Sequence, residues 1–331
     1  MRACRHCAGI HHASEARDDT RERDDATTVD AAGAYCTGPG IPWVHARARR
    51  GGPRMSMHVR YPMGTTLSRF DVRARNGCAA LSLRLRQFYF DSAPPFLDGH
   101  QHADGTGLKV WPTAMPLLAC VQRLIKQKYC NLERPLRVLE LGSGCGLVGI
   151  ALAATCRADV VMTDPAIEVG LSSEAGGGTT LDWLRENVNL NRDVLDQSQG
   201  SVRVEPLRWG DADGENALHG AVGNGFDLVV GSDLLYDPSQ YTALQSALHT
   251  FAGTADDGAY ACASDDDSPP PPVAVLGYPV RHGEEESFFR LCDDGGHLIA
   301  GETVEIERSI GPKRPRLIIS ATYLHKRERR V

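Results

Sequence analysis

Val138-Leu139-Glu140-Leu141-Gly142-Ser143-Gly144-Cys145-Gly146-Leu147 decides the fold of this chain. Val138 to Leu141 is a largely apolar run suited to a buried strand, and Leu147 opens an apolar helical stretch. Between them, glycines permit a tight turn and let backbone come within contact distance of a ligand at the carboxyl end of the strand. A glycine pattern by itself is weak evidence. Strand, loop and helix in that order make it stronger. Glu140 stands two residues before the first glycine, and the spacing is GxGxG rather than GxGxxG. The next strand ends at Thr163-Asp164, about twenty residues beyond the loop, where an acid can accept hydrogen bonds from both ribose hydroxyls. Such an acid fits NAD and S-adenosylmethionine equally well.

Working outward, the pattern alternates strand and helix. Strands are expected at 137–141, 159–163, 201–207, 227–231 and 273–278. Helices are expected at 112–129, 147–156, 180–191, 238–251 and 284–291, the first with Pro112 in its first turn. Such βαβ alternation implies an α/β fold, a mostly parallel Rossmann-like sheet with helices on both faces. Two last strands, near 298–307 and 316–323, follow each other directly and can pair as an antiparallel hairpin. An earlier strand is expected at 81–86, continued by Phe88-Tyr89-Phe90.

The choice of cofactor turns on an absence. Short-chain dehydrogenases pair a catalytic tyrosine with a lysine four residues later, and none of the five lysines (Lys109, Lys126, Lys128, Lys313, Lys326) follows a tyrosine at that distance. Hydride transfer therefore lacks its chemistry here, and S-adenosylmethionine is the expected cofactor.

The motifs together resemble the seven-strand class I protein-lysine methyltransferases of the methyltransferase-like 21 family. The residues that carry the resemblance are Val110-Trp111-Pro112, Val138 to Gly149, Thr163-Asp164, Asn187 to Asn191, Leu207 to Gly210, Asp227 to Pro238, and Arg281 followed by Phe288-Phe289. It spans about Leu85 to Tyr323. It implies a seven-strand sheet, and cofactor contacts from Trp111, Gly142, Ser143, Gly144, Asp164, Trp209 and Ser232, with Glu140 and Gly146 counted as parts of the same loop. An indole at Trp209 offers a flat apolar face for adenine; the competing reading makes Trp209 a core tryptophan and Trp111 a cap on the sheet edge. Asp233-Leu234-Leu235-Tyr236 takes the place of the Asn/Asp-Pro-Pro-Tyr motif of DNA adenine methyltransferases and follows the D-x-x-Y pattern of the lysine-modifying branch. Asp233 and Tyr236 are accordingly the expected catalytic pair; the competing reading makes Asp233 a turn cap and Tyr236 a core residue. The implied acceptor is a lysine of a protein, such as a chaperone or an AAA-type ATPase. Two other readings stay open: a small molecule or RNA as acceptor, and a non-catalytic module that kept the fold.

The 331 residues, 42% hydrophobic and 24% charged, suffice for one large α/β domain with appendages. A formal net charge of −6 gives no overall pull towards nucleic acid, and no run of apolar residues is long enough for a spanning helix. Ten scattered cysteines suit reduced thiols rather than a disulfide framework. Cys4-Arg5-His6-Cys7 followed by His11 and His12 looks like half a zinc site without a second ligand pair, so no metal is expected.

Residues 1–80 read as mostly disordered, and 81–325 as the methyltransferase domain. Within that domain an acidic, proline-rich insertion at 253–272 cannot pack a core, and 326–331 is a basic tail. From His45 to Gln87 ten arginines face the single acid Asp71. A start at Met55 or Met57 would make the following segment resemble an organelle transit peptide. The plainer reading is a solvated basic tail on a monomeric cytoplasmic protein.

Overall fold

The computed structural model describes residues 64–72, 81–89, 106–130, 132–169, 178–223, 225–252, 273–280, 283–295, 298–309 and 316–326. The insertion at 253–272, the Cys4 to His12 cluster, Arg281 and the last five residues lie outside them.

The strand of the glycine loop is β3 (Leu136–Leu141), and the helix it feeds is α2 (Leu147–Cys156). Before them come a hairpin, β1 (Gly64–Val72) and β2 (Leu81–Tyr89), and helix α1 (Ala114–Lys128). After α2 the chain runs through β4 (Ala158–Asp164), a two-residue pair β5 (Glu168–Val169) and β6 (Gly178–Thr179), α3 (Thr180–Leu190) and α4 (Arg192–Asp196). Next are β7 (Ser201–Pro206), α5 (Ala212–Val222), β8 (Leu228–Ser232), α6 (Tyr241–Phe251), β9 (Ala274–Pro279) and α7 (Glu285–Asp294). The chain closes with β10 (Leu298–Ser309) and β11 (Arg316–Lys326).

Seven strands form one sheet in the order β10-β11-β9-β8-β3-β4-β7. Neighbours from β9 to β7 are parallel, while β11 pairs antiparallel with both β9 and β10. The expected parallel sheet with a terminal antiparallel hairpin is therefore the observed one. Strand order reverses between β3 and β8, and the carboxyl ends of those two strands border the crevice where doubly wound sheets bind ligands.

Burial explains the central elements. Five of the six β3 residues are buried, as a parallel strand covered on both faces requires. Helix α2 reads Leu-Val-Gly-Ile-Ala-Leu-Ala-Ala-Thr-Cys and is apolar nearly all round, so it sits inside the molecule rather than on it. One apolar core gathers α1, α2 and α3 against one face of the sheet, and a second gathers α6 and α7 against the other. Helix α3 starts on a reciprocal cap: Thr179 Oγ1 accepts the Asp182 amide while Asp182 Oδ2 accepts the Thr179 amide.

Four expectations need correction. The region expected to be mostly disordered up to residue 80 contains β1, ordered by nine residue pairs with β2 and by Val72 entering the core. Long-range pairing created that strand, which local sequence did not announce. Helices α4 and α5 were not expected; α5 presents little apolar periodicity and is started by Asp211, whose side chain accepts the Gly214 amide. The helix expected from 238 begins as a single 3-10 turn, Pro238–Gln240, before α6. Finally, Lys326, expected in the basic tail, is the last residue of β11.

Candidate active site

The glycine loop is fixed from two sides. Gly142, Gly144 and Gly146 all have positive φ (59°, 51° and 85°), which L side chains rarely adopt. The Ser143 amide donates to the Thr163 carbonyl at 2.8 Å, and Thr163 Oγ1 donates to the Glu140 carbonyl at 2.7 Å. Asp164, only 6% exposed, accepts the Gly144 amide on Oδ2 at 2.9 Å. Loop and acid, both expected to touch the cofactor, are therefore joined directly.

Across the crevice, β8 ends at Ser232, and Asp233 follows it in the turn. Asp233 is 5% exposed with φ of 61°, one of two non-glycine residues at positive φ among those described. Its amide donates to the Gly277 carbonyl of β9 at 2.8 Å, which holds the turn in this uncommon conformation. Backbone held in the left-handed region costs about 1–2 kcal/mol, and such residues concentrate at functional sites. Ser232 Oγ is buried without a hydrogen-bond partner among the described residues.

The two halves meet at Gly142. A β-carbon there would lie 2.7 Å from Leu234 Cδ2 and 3.3 Å from the Trp209 ring. Trp209, half-buried just after β7, and the Asp233 turn are thus brought against the loop. Tyr236, 36% exposed, stands beyond them at the rim. It is not the core residue that the competing reading required. Burial first, then the carboxylates Glu285, Glu284 and Asp237, push the hydroxyl of the nearby buried Tyr241 up to about 12.

A third wall comes from the segment before α1. A β-carbon on Gly144 would sit 3.0 Å from the Gly107 carbonyl. Trp111 is tied into that segment by its indole N–H, which donates to the Thr106 carbonyl at 3.0 Å, and the Lys109 ammonium lies over its ring. Gly107 was not read as a site residue; the neighbouring Gly105 and Gly107 were the available turn signal.

Two residues counted with the cofactor loop face the core. Glu140, 3% exposed, accepts the Gly149 amide of α2 on Oε2 at 3.1 Å. Burial pushes its carboxyl up to about 8, against the opposing hydrogen bonds from Ser143 and Gly149. Gly146 is enclosed by Leu184, Met162 and Ile150. Both residues shape the loop from behind. Among the described residues, cysteines are buried at 120, 145, 156 and 292 and exposed at 130, and no group of residues suited to a metal occurs.

A loop at the switch point, an acid on the neighbouring strand and a strained acid across the crevice define a Rossmann-like nucleotide-type site. The model of the lysine methyltransferase family matches residues 97–292, more than half of the sequence, and the chain belongs to that family. Protein N-lysine methyltransferase METTL21A of Danio rerio is 37% identical over 34% of this chain and 42% of its own length. EEF1A lysine methyltransferase 3 of Mus musculus is 30% identical over 45% of this chain and 52% of its own. Protein-lysine N-methyltransferase rrg1 of Schizosaccharomyces pombe is 27% identical over 50% of each. The chain thus spans about half the length of these relatives.

Proposed function

We propose that this chain binds S-adenosylmethionine and methylates a lysine side chain of a protein. The observation that carries the reading is the meeting of Trp209, Leu234 and Gly142 at the switch point, with Asp164 on one side and Asp233 on the other. Family membership names the reaction class, and the relatives named above are protein-lysine methyltransferases.

The residues fit that cofactor. Gly142, Ser143 and Gly144 let backbone approach a ligand, Asp164 suits ribose hydroxyls, and the Trp209 face suits adenine. Ser232 Oγ offers a buried hydroxyl still to be satisfied, and Trp111 is tied into the segment whose Gly107 carbonyl overlies Gly144. When bound, the cofactor supplies an electrophilic methyl group on a sulfonium.

A lysine ammonium has an ordinary pKa near ~10.4 and must lose a proton before its nitrogen can attack. Asp233 acts on the other side of that balance, since a carboxylate favours the charged form. Its role in this proposal is to draw in and aim the ammonium, with the exposed Tyr236 forming the mouth. The proton then leaves to water, and positioning supplies much of the rate. The acceptor class we favour is a folded partner such as a chaperone or an AAA-type ATPase, met by a monomeric chain in the cytoplasm.

The experiment is incubation of the full chain with methyl-labelled cofactor and a cell lysate, followed by mass spectrometry of labelled bands. Label on lysine in protein supports the proposal. Label confined to RNA or to small molecules would replace the acceptor, and binding without any transfer would leave a non-catalytic module.

A further inference from the structure

The β1–β2 hairpin stands outside the seven-strand sheet, and no step of the proposed chemistry uses it. Asn187 of α3 and Asn191, which caps that helix, nevertheless grip its second strand at two places. Asn187 Oδ1 accepts the Arg86 amide at 2.7 Å while Nδ2 donates to the Arg86 carbonyl at 3.1 Å. Asn191 repeats this on Arg84, at 2.8 Å and 2.7 Å. The match is geometric: four residues of helix rise about 6 Å and two of strand about 6.6 Å. Helix α3 thus serves β2 as a neighbouring strand would.

The two asparagines differ in one contact. The second bond of Asn191 Nδ2 returns to the Asn187 carbonyl of α3, the helix it caps, at 2.8 Å. That of Asn187 Nδ2 goes to the Cys145 carbonyl at 3.0 Å, inside the glycine loop. One side chain therefore binds β2, α3 and the loop together.

Gln87, the next residue of β2, holds the opposite wall. Its Oε1 accepts the Val110 amide at 3.1 Å, and its Nε2 donates to Ser68 Oγ of β1 at 2.7 Å. Val110 belongs to the segment whose Gly107 carbonyl overlies Gly144 and accepts the Cys145 thiol at 3.7 Å. Leu108, Cys145 and Trp183 close a small apolar cluster in between, and the Trp183 indole donates to the Arg86 carbonyl at 3.0 Å.

We infer that Asn187 and Gln87 are positioning residues for the cofactor site, through which the β1–β2 hairpin sets the distance between the glycine loop and the 106–111 wall. This rests on the reading that the loop binds S-adenosylmethionine. A hairpin that merely adds stability would make Asn187 and Asn191 equivalent and would leave Gln87 without effect on the ligand.

The test is calorimetric titration of S-adenosylmethionine into the full chain and into Gln87→Met, Gln87→Glu, Asn187→Ala and Asn191→Ala. Gln87→Met, which removes the acceptor for Val110, is expected to weaken binding about ten-fold, and Gln87→Glu, which restores an acceptor, to return it to within about two-fold. Asn187→Ala is expected to weaken binding more than Asn191→Ala at a comparable fall in melting temperature. In turnover assays the loss should fall on the cofactor KM rather than on kcat. Should Asn187→Ala fail to fold, the Gln87 pair decides alone. A folded Gln87→Met variant that binds within about two-fold of wild type overturns the inference while leaving the methyltransferase reading intact. A wild-type chain that binds no S-adenosylmethionine overturns that reading, and the inference with it.

Discussion

Asp164 Oδ2 accepts the Gly144 amide at 2.9 Å, so the acid that ends β4 also pins the loop that ends β3. One carboxylate thereby shapes the loop and faces the crevice. The two roles separate by substitution. Asp164→Asn keeps an oxygen for the Gly144 amide but loses the charge, whereas Asp164→Ala loses both. Asp164→Ala is expected to weaken cofactor binding by at least ~1.5 kcal/mol, the scale of a charged hydrogen bond, and to lower the melting temperature as well. Asp164→Asn should weaken binding while holding the melting temperature close to wild type. Titration curves unchanged in both variants would remove Asp164 from the cofactor site.

Asp233 allows a similar separation of charge from backbone. At φ of 61° the residue sits where asparagine and aspartate are tolerated better than other side chains. Asp233→Asn is therefore expected to keep stability within ~1 kcal/mol of wild type, and Asp233→Ala to cost more. Both should bind the cofactor and both should lose transfer, by roughly a hundred-fold or more if aiming the amine is the function of the carboxylate. Full activity of Asp233→Asn in a lysine-labelling assay would assign the residue to the turn alone.

Behind the loop, Gly149 is required by packing. A β-carbon there would lie 2.5 Å from Glu140 Oε2 and 2.7 Å from Met162 Cγ, with α2 already buried on all sides. Gly149→Ala should destabilise the chain by about 1–3 kcal/mol, as overpacking in a dense core does, although alanine is the better helix former. Urea denaturation measures this directly. A stabilised variant would mean that the β3–α2 interface yields more easily than its contacts indicate.

Much of this was legible in the sequence, and the parts that were not have a common cause. The loop, β3, α2 and β4 announced themselves because glycine spacing, apolar runs and a strand-end acid are local features. Asp233 could be singled out from its motif, but not its positive φ, which depends on the Gly277 carbonyl of another strand. Strand β1 was lost among arginines because its order comes from partners in β2 rather than from its own pattern. Glu140 could be placed beside the cofactor by position alone, whereas its burial against Gly149 depends on how α2 packs over the sheet. Gln87 carries no signal at all until the 106–111 segment is seen to cross it.

The buried Glu140 carboxyl gives the chain a pH dependence with a definite sign. Burial raises its proton affinity in the folded state from the ordinary 4.5 to about 8. The folded state therefore keeps a proton that the unfolded state releases between those values. By linkage, its contribution is fully present below the unfolded value and is lost as pH rises through about 8. Wild-type melting temperature is thus expected to fall across this window relative to Glu140→Gln. That variant keeps an oxygen for the Gly149 amide and has no proton to lose. Melting curves collected from about pH 5 to about pH 9 should converge at the acid end and diverge with rising pH, the variant becoming the more stable of the two. Parallel curves across the whole range would mean that Glu140 titrates as an ordinary carboxylate despite its enclosure between β3 and α2, and would overturn this prediction.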